Sequence, residues 1–191
     1  MKNLITGFGN QLRHALEIGA SASLKKETKE IRSVMISGLG GSGIGGTIVS
    51  ELMAAECVVP ICSNKGYDLP EYINEHTLVI CSSFSGNTEE TLEAFEKAMA
   101  KGAEIACVTS GGELLELAIE NKLNYIQLPT AESPRTMMGY SITQLFYLLN
   151  HYGLISDTFK VELNNASTLI DNLQEEIQAD AERISDHIEG K

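Results

Sequence analysis

Between residues 33 and 128 the chain alternates short, β-branched apolar runs with stretches whose apolar residues recur every three or four positions. That alternation marks parallel strands joined by crossover helices, because each strand must be carried back to the same edge of a sheet before the next can pair. Five strands are expected, at 33–37, 57–61, 77–82, 104–109 and 124–128. Their nearly continuous apolar character suits strands covered on both faces. The expected fold class is therefore α/β, a three-layer sandwich around a five-stranded parallel sheet in the flavodoxin-like order 2-1-3-4-5.

Helices are expected at 43–55, 88–101, 113–122 and 136–151, with two more flanking the αβ core at 4–26 and 159–188. The helix from 88 carries a capping signal, with Asn87 as the cap and Glu90 three residues on. In the last segment Leu163, Ala166, Ile170, Leu173, Ile177, Ala181, Ile184 and Ile188 form one stripe on a single long helix. Such a stripe can lie on the sheet domain, bridge to another domain, or pair with a second subunit. The chain thus divides into an N-terminal helical segment at 1–32, an αβ core at 33–153 and a C-terminal helix at 154–191.

Charge narrows the ligand. Fourteen Lys and Arg stand against 26 Asp and Glu, a formal net charge of −12, which repels nucleic acid and acidic membrane surfaces. A bound anion then depends on local backbone and hydroxyl donors. Cys57, Cys62, Cys81 and Cys107 lack the paired spacing of a zinc or redox site and read as reduced core thiols. No carboxylate or histidine cluster has metal-ligand spacing. The N-terminal stretch has no apolar run of signal-peptide character and no window approaches a membrane span, so a cytoplasmic location is expected.

The chemistry-bearing residues gather where strands end. The first strand runs into GLGGSGIGG at 38–46, and Gly38, Gly40 and Gly43 fit GxGxxG. A dinucleotide site would place an acid at the end of the second strand to hold the ribose, but Ser63, Asn64 and Lys65 stand there. The missing acid argues against NAD, with Lys65 leaving room only for a 2′-phosphate, and no cofactor is expected. The third strand ends in SSFSGNTEET at 82–91, where hydroxyls crowd onto a helix start. Ser83, Ser85 and Thr88, together with the open N–H groups of the first helical turn, can surround a phosphate without a lysine. The plainer alternative is a well-capped helix, for which one such hydroxyl suffices.

Taken together, GLGGSG, SSFSGNTEET, VTSGG and SPR followed by GYS make the chain from Ser33 to Lys191 resemble the first half of the bifunctional phosphoglucose/phosphomannose isomerases, a branch of the sugar isomerase (SIS) family. The resemblance implies that Ser83, Ser85 and Thr88 hold a sugar phosphate and that Gly41 and Ser42 line the sugar site. It also implies that Arg135 faces the reacting carbons. A guanidinium there suits the chemistry, since moving a proton between adjacent carbons passes through an enediolate. The alternative for Arg135 is a surface ion pair with Glu132, which would also hold Glu132 down as a base. The family resembles two SIS subdomains in tandem, and its glutamate base, histidine and lysine belong to the half that this chain does not carry. His14, His76, His151 and His187 have no partner motif and read as structural or solvated.

Two functions are then in view. One is the sugar-phosphate-binding domain of an isomerase converting glucose 6-phosphate or mannose 6-phosphate to fructose 6-phosphate, acting as a homodimer. The other is a non-catalytic SIS module that binds a phosphorylated hexose and regulates or assembles with a partner. An NADP-binding oxidoreductase half is a third and weaker reading.

Overall fold

The computed structural model describes residues 2–26, 29–131 and 134–189. Short helix α1 (Lys2–Thr6) and α2 (Phe8–Ser21) precede the core, which runs β1 (Ser33–Ser37), α3 (Gly40–Leu52), β2 (Ile61–Asn64), β3 (Thr77–Ser82), α4 (Glu89–Ala100), β4 (Glu104–Thr109), α5 (Gly112–Glu120) and β5 (Asn124–Gln127). A 3₁₀ turn (Pro134–Thr136) then leads to α6 (Met138–His151), α7 (Thr158–Asn172) and α8 (Gln174–Glu189). All strand pairs are parallel, in the order β2-β1-β3-β4-β5, as expected.

Strand alternation makes the three layers. Val34, Ile36, Leu78, Ile80, Ala106, Val108 and Ile126 point to one face, where Val49 of α3 and Leu145, Leu148 and Leu149 of α6 cover them. Met35, Val79, Cys81, Ile105 and Cys107 point to the other, beneath Ala94, Phe95 and Ala98 of α4 and Leu114 and Ala118 of α5. β3 and β4 are buried at every residue, which is why their bounds were legible as apolar runs.

Several elements depart from expectation. The second strand lies at Ile61–Asn64, not 57–61: Cys57 N–H still closes the end of α3 on Met53 C=O, and pairing with β1 begins where Pro60 C=O accepts from Val34 N–H. As the edge strand it is half polar, so the apolar run before it was a false guide. α3 starts at Gly40 and stops at Leu52, three residues earlier at each end than the 43–55 expected. The N-terminal helix is two helices ending at Ser21, and the segment after it extends along the sheet edge, where Asn124 Oδ1 accepts from Lys25 N–H and Asn124 Nδ2 donates to Lys25 C=O. The long C-terminal helix is broken at Leu173, and its stripe packs only near the start: Leu163 is half-buried against the core beside buried Phe159, whereas Ile177, Ile184 and Ile188 are exposed.

The cysteines also divide. Cys81 and Cys107 are buried cross-strand neighbours and remain free thiols, with burial pushing Cys81 up to about 12 and Cys107 well above its ordinary value. Cys57 is half-buried and Cys62 exposed, so those two are not core residues. Helix α2 lies across α6 and α7, tied by Gln144 Nε2 to Ala15 C=O, Tyr147 Oη to Leu16 C=O, and an Arg13–Asp171 ion pair at 2.6 Å. Glu104, buried at the start of β4, accepts from Tyr152 Oη and pairs with Lys29 Nζ at 3.2 Å, so its charge is compensated. No helix among the described residues is long and apolar enough to cross a membrane.

Candidate functional site

β1 and β3 are adjacent in the sheet although α3 and β2 lie between them in sequence, and their carboxyl ends therefore open a crevice. This is the place where open parallel sheets bind ligands. A cavity of about 140 Å³ sits there, lined by Leu39, Gly41, Ser42, Phe84, Ser85, Thr88, Arg135, Met138 and Ser141. That volume suits a small polar ligand sooner than a dinucleotide.

The fold thus brings Gly41, Ser42, Ser85, Thr88 and Arg135 to one cavity, from three separate loops. Gly41 has open space where a side chain would begin, so the backbone of the first turn of α3 is accessible from the cavity. Ser83 does not line it. Its side chain is buried, its hydroxyl shares a 2.8 Å hydrogen bond with Thr88 Oγ1, and it accepts from Gly86 N–H at 3.1 Å. It fixes the direction of the Thr88 hydroxyl from behind. Ser85 Oγ accepts from Asn87 N–H at 3.3 Å, a weak bond that leaves the oxygen free to serve a ligand as well.

The helix start differs from the expected capping box. Thr88, not Asn87, holds the N-cap position of α4, and no side chain caps it. Asn87 instead turns to the neighbouring helix, where its Oδ1 accepts from Glu113 N–H in the first turn of α5 at 3.0 Å. The consequence is useful: an uncapped helix N-terminus faces the hydroxyls of Ser85 and Thr88, a combination suited to an anion. Glu89 and Glu90 occupy the first turn of α4, and Glu89 accepts from Tyr67 Oη at 3.4 Å. The Glu90 carboxylate, more than burial or Glu89, raises the Tyr67 phenol above its ordinary range.

Arg135 is exposed on the 3₁₀ turn that precedes α6. The ion pair weighed for it involves Glu132, which lies outside the described residues. Among the described residues the cavity lining holds no carboxylate and no imidazole, and no group of three metal-ligating side chains occurs. At the end of β2, Asn64 Nδ2 donates to Ser37 Oγ and Gly66 C=O, and Ser63, Asn64 and Lys65 carry no carboxylate. Ser141 and Met138 were not foreseen as lining residues. Only the GYS string touched Ser141, and a serine inside a helix carries no sequence signal of its own.

No protein-family model matches the chain. Curated relatives do. The chain is 43% identical over 145 residues to the bifunctional phosphoglucose/phosphomannose isomerase of Caldicellulosiruptor bescii, across 76% of this chain and 43% of that protein. It is 30% identical over 186 residues to the protein of the same name from Aquifex aeolicus, across 97% of this chain and 55% of that one. The chain therefore spans about half the length of the curated relatives it matches. Among solved structures it is similar to the C-terminal domain of glucosamine-fructose-6-phosphate aminotransferase from Francisella tularensis, with a TM-score of 0.69 and 16% identity over 96% of this chain and 60% of that one. At that identity the likeness speaks for the fold alone.

Proposed function

This chain is a sugar isomerase (SIS) domain homologous to about half of the bifunctional phosphoglucose/phosphomannose isomerases, and on that footing we propose that its cavity holds a hexose 6-phosphate for aldose–ketose isomerisation. The observation that carries the reading is the meeting of Gly41, Ser42, Ser85, Thr88 and Arg135 in one cavity at the carboxyl ends of β1 and β3. In this reading the phosphate sits against Ser85, Thr88 and the N-terminus of α4, where hydroxyls and N–H groups supply the affinity that a net charge of −12 withholds. Ser83 supports Thr88 from below. Gly41 and Ser42 lie along the sugar, and Arg135 stands at its reacting end.

The reaction moves a proton between adjacent carbons. A base removes the proton from C2 of the aldose and the electron pair passes onto the carbonyl oxygen to give an enediolate. The C2 hydroxyl proton moves to the C1 oxygen, and the proton returns at C1 as the C2 carbonyl forms, giving the ketose. Arg135 stabilises the oxyanion as it forms. The described cavity lining supplies no base, so the proton transfer is assigned to none of its residues. Within the same proposal residues 1–32 and 154–191 flank a sugar-phosphate domain at 33–153, the protein acts in the cytoplasm, glucose 6-phosphate and mannose 6-phosphate are its substrates, and a second copy covers the exposed stripe of α8. The lack of a carboxylate or imidazole in the described lining favours a second reading, a SIS module that binds the sugar phosphate without converting it.

Calorimetry tests the binding claim shared by both readings. Ser85→Ala and Thr88→Ala should each weaken glucose 6-phosphate about tenfold or more, given roughly 1–3 kcal/mol per lost charge-assisted donor. Unchanged affinity in both variants would remove the serine loop from the site. A coupled isomerase assay then separates the two readings, because the module binds without turnover.

A further inference from the structure

Helix α2 reaches the site through one buried side chain. Gln11 is 8% exposed, donates from Nε2 to Thr136 C=O at 2.6 Å, and accepts at Oε1 from Gly139 N–H at 2.8 Å. The two bonds span 125 and 128 residues of sequence and bracket the turn that joins Arg135 to α6. The Gly139 N–H belongs to the first turn of α6, where an amide has no partner within its own helix. Space around the contact is fully used: a Cβ built on Gly139 would lie 2.5 Å from Gln11 Oε1 and 3.0 Å from Phe8 Cε2. The glycine at 139 is thus the residue that lets the amide approach.

The clamp holds the segment that forms one wall of the cavity. Arg135, Met138 and Ser141 all line it, and Met138 and Ser141 are three residues apart on one side of α6. A slip or rotation of this turn would carry Arg135 with it, since only Thr136 and Met137 separate the arginine from the helix. We propose that Gln11 is a positioning residue that aims Arg135 at the reacting end of the sugar phosphate by fixing the carbonyl of Thr136 and the amide of Gly139. This inference rests on the sugar-phosphate reading above. Its role is distinct from packing, because loss of aim should penalise only ligands whose charge Arg135 meets.

Two ligands separate aim from packing. A pentonate 5-phosphate carries a carboxylate where the enediolate oxygens would form, whereas a hexitol 6-phosphate shares the phosphate but has no charge at that end. Calorimetry on the 191-residue chain should show Gln11→Ala weakening the pentonate phosphate about tenfold while the hexitol phosphate changes less than about twofold. The same substitution placed on Arg135→Ala should add nothing, as expected for residues acting through one contact. Gln11→Glu keeps the acceptor for Gly139 N–H but sets a carboxylate oxygen against Thr136 C=O. It should reproduce the selective loss, and it carries the test if melting curves show that Gln11→Ala is unfolded. Equal losses for both ligands, or an undiminished loss in the Arg135→Ala background, would overturn the proposal in favour of plain packing. Failure of the unaltered chain to bind either ligand would overturn the sugar-phosphate reading and this inference with it.

Discussion

Gly86→Ala should destabilise the chain and abolish measurable sugar-phosphate binding together. Gly86 has φ +73°, and a Cβ there would overlap the carbonyl of Gly111 and lie 2.9 Å from Thr109 Oγ1. The same residue donates to Ser83 C=O and Ser83 Oγ and accepts from Leu114 N–H at 2.9 Å, so it ties the loops after β3 and β4 to each other. Left-handed backbone costs an alanine roughly 1–2 kcal/mol, and forcing backbone apart adds about 1–3 kcal/mol. At about 2–4 °C per kcal/mol for a chain of this size, the melting temperature should fall by roughly 4–20 °C. Gly102→Ala is the control, since Gly102 shares the left-handed backbone at φ +69° but a Cβ there meets nothing within 4 Å. It should lose only the smaller stability term and keep full affinity. Equal melting curves and equal affinities for the two variants would show that the serine loop does not depend on this contact.

Arg135→Ala should act on rate. Charge develops on the sugar only as the enediolate forms, so a guanidinium aimed at that end stabilises the transition state more than the bound hexose. In a protein carrying this chain at the full length of its curated relatives, turnover should fall about 100- to 1,000-fold. The Michaelis constant should move by less than about threefold. A large rise in Michaelis constant with turnover preserved would assign Arg135 to holding the substrate. Arg135→Lys should recover only part of the loss, because an ammonium keeps the charge without the planar fork that meets two oxygens at once.

The central strands were legible because they are buried on both faces, which turns β3 and β4 into uninterrupted apolar runs. β2 is displaced from the expected 57–61 for the converse reason: as an edge strand it carries Cys62 and Ser63 exposed, and only Ile61 of Ile61–Asn64 packs against the core. The break at Leu173 is silent in the sequence, since the apolar stripe runs through it without losing its spacing. Local rules also failed where tertiary contacts outbid them. Asn87 has the right neighbours for a cap on α4 and serves α5 instead, because the loop after β4 brings Glu113 N–H within 3.0 Å.

The cavity was readable from hydroxyl and glycine density at two strand ends. Sequence groups Ser83 with Ser85 and Thr88 because it cannot tell a hydroxyl that lines the cavity from one buried behind it. Gln11 gave no signal at all. A glutamine on an amphipathic helix has meaning only through what it touches, and here its partners lie 125 and 128 residues away.

The claim that the crevice between β1 and β3 binds a phosphorylated hexose is tested most directly by following backbone amide resonances of the chain during titration with fructose 6-phosphate. The account predicts saturable shifts at Gly41, Ser42, Ser85, Thr88 and Ser141, weaker or absent with unphosphorylated fructose. Amides that stay still at those positions, or shifts gathered instead at Ser63, Asn64 and Lys65 on addition of a nicotinamide dinucleotide, would contradict it.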